Sequence, residues 1–292
     1  MRIIAYLNGA GERKMAAVPG ETEAYPLQGL NFLDLVKAAE EQGITLLALT
    51  QKQIQGQGPV AADWTQLRLE QPVQAPEVWA AGVTYERSKE ARNYEATEGR
   101  MDMTTFYDKV YDAVRPEIFL KSTPARTVGP NGYVSLRSDS FWQIPEPELG
   151  LVLNRHGHVI GYIVGNDMSC RDIEGENPLY LPQAKIWRRS CSIGPAIRLA
   201  DTVEDPYAFQ ISCRIFRNDK LVTEGHATTG QLKRRLDELV TFLTRDNEIM
   251  DGTILLTGTC IVPPNEFSLA EGDRIEIAIS GIGTLVNIVK SA

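Results

Sequence analysis

The chain has 292 residues, 43% apolar and 23% charged, enough for one large domain or for a large domain with a small one. A net charge of -8 and a pI near 5.1 argue against nucleic acid or an anionic membrane surface as partner, since both want a basic face. No apolar run is long enough to cross a bilayer, no signal-peptide pattern opens the chain, and the four scattered cysteines lack disulfide or zinc spacing, so a reducing cytoplasm is expected.

In chain order, "MRIIAYLNG" predicts a strand that ends at the turn pair Asn8-Gly9. "NFLDLVKAAEEQGI" sets Phe32, Leu33, Leu35, Val36 and Ala39 at helical spacing and stops at Gly43. Pro72 and Pro76 then mark a crossing, which divides the chain into a small N-terminal α/β module over 1–72 and a catalytic domain over 73–292. "EVWAAGVTY" reads as a strand, residues 86–113 as polar helix, and "EIFLKS" as a short strand. Beyond Pro130-Asn131-Gly132 strand follows strand: "ELGLVLN", the turn "RHGH", "VIGYIVGNDMS", "FQISCRIFRN", the turn Asn218-Asp219, and "KLVTEGHA". A helix is expected over "TTGQLKRRLDELVTFLTRD", and three strands follow, "TILLTGT", "DRIEIAIS" and "GTLVNIV". The class this predicts is α+β, an antiparallel or mixed sheet with a few helices packed on it.

One constellation carries chemistry. In "WQIPEPELGLVLN", Glu146 and Glu148 stand at i and i+2 of a strand and so share a face. Two adjacent carboxylates repel, and a buried pair needs a cation between them; the bland alternative is a solvent-facing acidic edge. The next strand ends in Asn166-Asp167, and a hairpin at "NRHGHV" returns Asp167 beside the two glutamates. Three carboxylates without histidine or thiolate form a hard-oxygen site for Mg²⁺, Mn²⁺ or Ca²⁺, with coordination positions left for substrate. Downstream, Lys185 sits among Leu181, Ile186 and Trp187; beside a divalent cation its pKa should fall, making it a proton carrier, and the alternative is a solvated surface lysine.

These segments, "IPEPELGLVLN", "GYIVGNDMSCRDIEGENPLYLPQAKIW", "SCSIGPAI" and "TILLTGTCIVP", resemble the fumarylacetoacetate hydrolase superfamily across residues 75–292. The resemblance implies a mixed β-roll, a Mg²⁺ or Mn²⁺ held by Glu146, Glu148 and Asp167, and catalytic roles for Lys185 and the metal-linked Glu148. It further implies a homodimer or homotetramer and a small 2-keto acid as substrate. Within the superfamily the chain looks like the branch that dehydrates 2-keto-3-deoxy sugar acids, as in conversion of 2-keto-3-deoxy-D-arabinonate to 2,5-dioxopentanoate. The alternative is a carbon–carbon hydrolase or decarboxylase acting on acylpyruvates or oxaloacetate. Many hydrolases of the family carry a histidine where this chain has Ser88, which favours dehydration. Arg87, Ser88, Lys121 and Thr259 are the candidate substrate contacts. His156, His158 and His226 offer no evident substitute for the missing base.

Overall fold

The computed structural model of the chain describes residues 1–97 and 106–291. Two mixed sheets form its frame, with few helices, as the sequence predicts. The larger sheet has eleven strands. Its path runs Tyr25–Leu27, Arg13–Val18, Arg2–Leu7, Cys191–Leu199, Val159–Asp167, Pro147–Leu153, Thr253–Leu256, Val78–Gly82 and Glu117–Ser122, with Arg68–Glu70 and Thr127–Val128 pairing off that path. The smaller sheet orders Lys220–Thr228, Gln210–Arg217, Arg274–Ile279, Gly283–Lys290 and Tyr133–Ser135.

At the centre of the larger sheet lies the hairpin Pro147–Leu153/Val159–Asp167, antiparallel with Glu148 opposite Gly165 and Leu151 opposite Tyr162. Both of its strands have further partners, Thr253–Leu256 on one side and Cys191–Leu199 on the other, so neither is an edge, and all their residues but Val159 and Ile160 are buried. Leu149, Leu151 and Leu153 pack toward the smaller sheet, against Ile211, Ile277 and Leu285. The other face, with Val152 and Ile163, packs on Phe32, Leu35 and Val36 of the helix Phe32–Glu41. Glu148 and Glu146 continue that second face past the point where its apolar cover ends.

The N-terminal segment keeps the predicted strand and helix, and Asn31 caps the helix reciprocally with Asp34. Its first strand, however, is hydrogen-bonded to Cys191–Leu199, so one sheet runs through both parts of the chain. That central strand contains Pro195, which hid it from the sequence reading; a second helix, Leu46–Ile54, capped by Thr45, was likewise not predicted. The helix expected over residues 228–246 is shorter, Leu236–Thr244, because Thr228 ends a strand and Arg234 and Lys233 leave the helix path to bond carbonyls at 110–114. Asn218 and Asp219 both adopt positive φ, 51° and 59°, the backbone of a two-residue hairpin turn.

Candidate metal and catalytic site

Register builds the site. Pro147 pairs with Asn166, which sets Glu146 against Asp167, and the Asp167 amide donates to the Glu146 carbonyl at 3.0 Å. One carboxylate oxygen each from Glu146, Glu148 and Asp167 falls within a 4.8 Å cluster, all three residues buried. A solvated acidic edge is thereby ruled out. Glu148 is fixed from the loop that follows the strand Thr253–Leu256: the Gly258 amide donates to its Oε2 at 2.7 Å. Only glycine fits there, since φ is +93° and a Cβ would lie 1.9 Å from the Thr84 hydroxyl.

Two buried lysines face the cluster. Lys185, at the end of the short helix Leu181–Lys185, pairs with Glu146 Oε2 and lies 3.3 Å from Asp167 Oδ2 and 3.7 Å from Glu174 Oε1. Lys121 lies 2.7 Å from Asp167 Oδ1 and donates to the carbonyls of Met168 and Lys185, with the Trp187 ring 5.1 Å away.

Electrostatics sort these groups. Burial, then repulsion by Asp167 and Glu146, raises the Glu148 pKa well above the ordinary carboxylate range. Burial also raises Glu146, against the pull of Lys185. Asp167 suffers the same burial, yet Lys121 and Lys185 hold its pKa below the usual value. For Lys185 burial works downward, but without a cation in the site Asp167, Glu146 and Glu174 outweigh it and the pKa is raised; the lowering expected beside a divalent ion belongs to the loaded site. The metal-free site therefore keeps Lys185 protonated.

The donor set fits a hard divalent ion. Among the described residues, five carboxylates (Glu117, Glu146, Glu148, Asp167, Glu174) stand against three cations (Lys121, Lys185, Arg92). When all are ionised, the excess of two negative charges is what Mg²⁺ or Mn²⁺ would cancel, and oxygen-only ligands suit those ions over zinc.

Of the predicted substrate contacts, Ser88 and Thr259 line the pocket above the cluster, and Lys121 lies beneath it. Arg87 is not brought in. It points outward from the helix Glu86–Thr97 and pairs with Glu90 at 3.1 Å. All three histidines are exposed and none lines this pocket. Asp172 accepts from Ser140 Oγ and the Phe141 amide, steadying the turn ahead of Trp142, whose ring Arg171 covers.

Three functional candidates escaped the sequence reading. Arg92 is buried, lines the pocket and ion-pairs with Glu174 at 2.6 Å. Glu174 accepts from Ser169 Oγ at 3.0 Å and is 1% exposed. Glu117 sits opposite Gly82, and a Cβ on that pocket-lining glycine would collide with its Oε2. That oxygen is shut off from solvent although the residue as a whole is half-buried, and burial raises the Glu117 pKa. The alternation Glu117, Phe119, Lys121 along one strand was the available signal: all three side chains face the site.

A family model, the C-terminal domain of fumarylacetoacetate hydrolase, matches residues 87–290. The chain is 50% identical over 218 residues to a Haloferax volcanii protein named "Probable 2-keto-3-deoxyxylonate dehydratase", 75% of this chain and 73% of that one. It is 46% identical over 224 residues to 2-dehydro-3-deoxy-D-arabinonate dehydratase of Saccharolobus solfataricus, covering 77% and 75%. A solved structure of 2-keto-3-deoxy-D-arabinonate dehydratase complexed with magnesium and 2,5-dioxopentanoate superposes with a TM-score of 0.84 at 36% identity, over 100% of this chain and 99% of that one.

Proposed function

This chain belongs to the fumarylacetoacetate hydrolase family, and we infer that it is a Mg²⁺-dependent hydro-lyase that dehydrates a 2-keto-3-deoxy sugar acid to a 2,5-dioxo acid. The observation that carries this reading is the buried convergence of Glu146, Glu148 and Asp167 within 4.8 Å, in a chain this similar to two dehydratases. When bound there, Mg²⁺ supplies Lewis acidity to the C2 carbonyl and so acidifies the C3 protons.

The side chains supply the rest. Loss of water needs one group to take the C3 proton and another to give a proton to the departing C4 hydroxyl. Lys185, buried with its Nζ against the carboxylate cluster and lining the pocket, is the donor. Glu117, with a buried oxygen and a raised pKa, is the acceptor, poised nearer neutrality than an ordinary carboxylate. Lys121 and the Gly258 amide hold Asp167 and Glu148 in place. The C3–H and C4–O bonds break, water leaves, and the unsaturated acid tautomerises to the saturated dioxo product.

We also propose that the chain assembles as a homodimer or homotetramer, a reading supported by the exposed apolar side chains Val114, Phe141 and Leu179. Free thiols at all four cysteines support the cytoplasm as its compartment. The division at residue 72 is kept as a proposal in which 1–72 is scaffold. The test is direct: with Mg²⁺ the protein should convert 2-keto-3-deoxy-D-arabinonate to 2,5-dioxopentanoate and lose that activity in excess chelator. Release of pyruvate from an acylpyruvate, without dehydration of the sugar acid, would favour the hydrolase alternative and overturn the reading.

A further inference from the structure

Among the described residues, six that are not glycine adopt positive φ. Asn131, Asn218, Asp219 and Asp246 are exposed and of the type that tolerates the left-handed region, and Arg189 is half-buried. The sixth is Val83, at φ 54°, buried and β-branched. A valine in that region crowds its own backbone, so the conformation is costly and persists only where its surroundings impose it.

The residues on either side do impose it. Gly82 ends the strand Val78–Gly82 opposite Glu117, close enough that a Cβ would strike the Glu117 carboxylate. Thr84 donates its hydroxyl to the Thr257 carbonyl at 2.7 Å, and its own carbonyl accepts from the Lys233 amide at 3.0 Å. The Tyr85 amide donates to Ser88 Oγ at 3.2 Å. What the strain achieves is not core packing: among the described residues, the Val83 side chain joins none of the apolar core clusters. Val83 lines the catalytic pocket instead, together with Ala81, Gly82 and Phe119. Regular strand backbone would send residues 82 and 83 to opposite faces; the left-handed turn brings both to one pocket.

We propose that Val83 is a specificity-determining residue: its isopropyl group fills the space beside C3 of the substrate, admitting 2-keto acids with a C3 methylene and excluding those with a further substituent there. This rests on the dehydratase reading, in which Glu117 takes the C3 proton. Val83 directly follows the glycine that packs on the Glu117 carboxylate, so C3 is the carbon it adjoins. The same wall is apolar, so a C3 hydroxyl would also lose its water there without a partner from Val83 or Phe119.

The experiment follows solvent deuterium exchange at C3 of 2-oxobutanoate and of 3-methyl-2-oxobutanoate, which differ by one methyl group on that carbon. Mg²⁺-loaded wild type, Val83→Ala, Val83→Gly and Val83→Thr are compared. The two acids differ in C–H acidity by the same amount for every protein, so a change in their ratio of kcat/KM reads the wall. Val83→Ala and Val83→Gly should shift that ratio toward the branched acid by about tenfold or more, and glycine suits the left-handed backbone, so that variant should fold. Val83→Thr keeps the branched shape and should leave the ratio within about twofold. An unchanged ratio in the two smaller variants, an equally large shift in Val83→Thr, or a wild type that exchanges neither acid would overturn the proposal. Dehydration of 2-keto-3-deoxy-D-arabinonate by wild type runs alongside. If it fails while the ratio shifts as expected, the dehydratase reading falls and the wall stands; if it succeeds while the ratio stays fixed, the wall falls alone.

Discussion

The floor of the pocket takes Glu146, Glu148 and Asp167 from a hairpin hydrogen-bonded to neighbours on both sides, whereas its roof takes Ser88 and Arg92 from one helix, Glu86–Thr97. Backbone register fixes the floor: shifting it by one residue would turn every carboxylate away. The roof has no apolar stripe and is tied down by pairs such as Arg92–Glu174 and Asn93–Asp108. Where three carboxylate oxygens must meet within 4.8 Å, the fold uses a ladder; the helix above them is held by side-chain pairs.

Breaking the floor should cost most. Glu148→Gln or Asp167→Asn should abolish Mg²⁺ binding in calorimetric titration and lower kcat by about 10³-fold or more, since Lewis acidity disappears with the ligand. Lys185→Met should lower dehydration by about 10²- to 10⁴-fold yet retain C3 exchange, whereas Glu117→Gln should lose both; the reverse pattern would exchange their roles.

Gly258→Ala tests the ladder without touching a charge. With φ at +93° and Thr84 in the way, it should destabilise the protein by roughly 1–3 kcal/mol and lower Tm, and weaken Mg²⁺ binding through Glu148. Saturating Mg²⁺ should add about 3 kcal/mol of stability at 100 times its Kd. The sign with pH follows from Glu148 and Glu146, whose folded pKa values are raised. Protons compete for these ligands, so Mg²⁺ stabilisation should be largest at neutral pH and fade as pH falls through those raised values. Without Mg²⁺ these two groups work the other way, and the stability they contribute should fall as pH rises above the unfolded carboxylate value. The smallest effect belongs to the roof's outer surface: Arg87→Ala should leave kcat/KM within about twofold and stability within about 0.5 kcal/mol.

The same contrast explains what could be read from the sequence. Glu146, Glu148 and Asp167 were legible because strand alternation and a hairpin turn fix their meeting locally. Lys185 was legible by its apolar neighbours, though its charge balance was not: Glu146, Asp167 and Glu174 gather round its Nζ from other parts of the chain. Arg92 looked like one more charge on a polar helix. Glu117 sat in a short edge strand whose partner, Gly82, leaves room for a carboxyl only once the two are paired. Arg87 and Arg92 are alike in sequence; the helix turns one to solvent and the other inward.

Strand Arg2–Leu7 finds the partner for its first half in Cys191–Leu199, with Ile3 facing Ile197. On the ribosome that apolar edge must wait for residue 197 to emerge, about 10 to 40 s at ordinary translation rates. Glu148 waits longer still, until Gly258 appears to fasten it. A nascent chain of this protein therefore presents an unfinished ladder to the cell for most of its synthesis, and its catalytic centre is among the last parts to come into being.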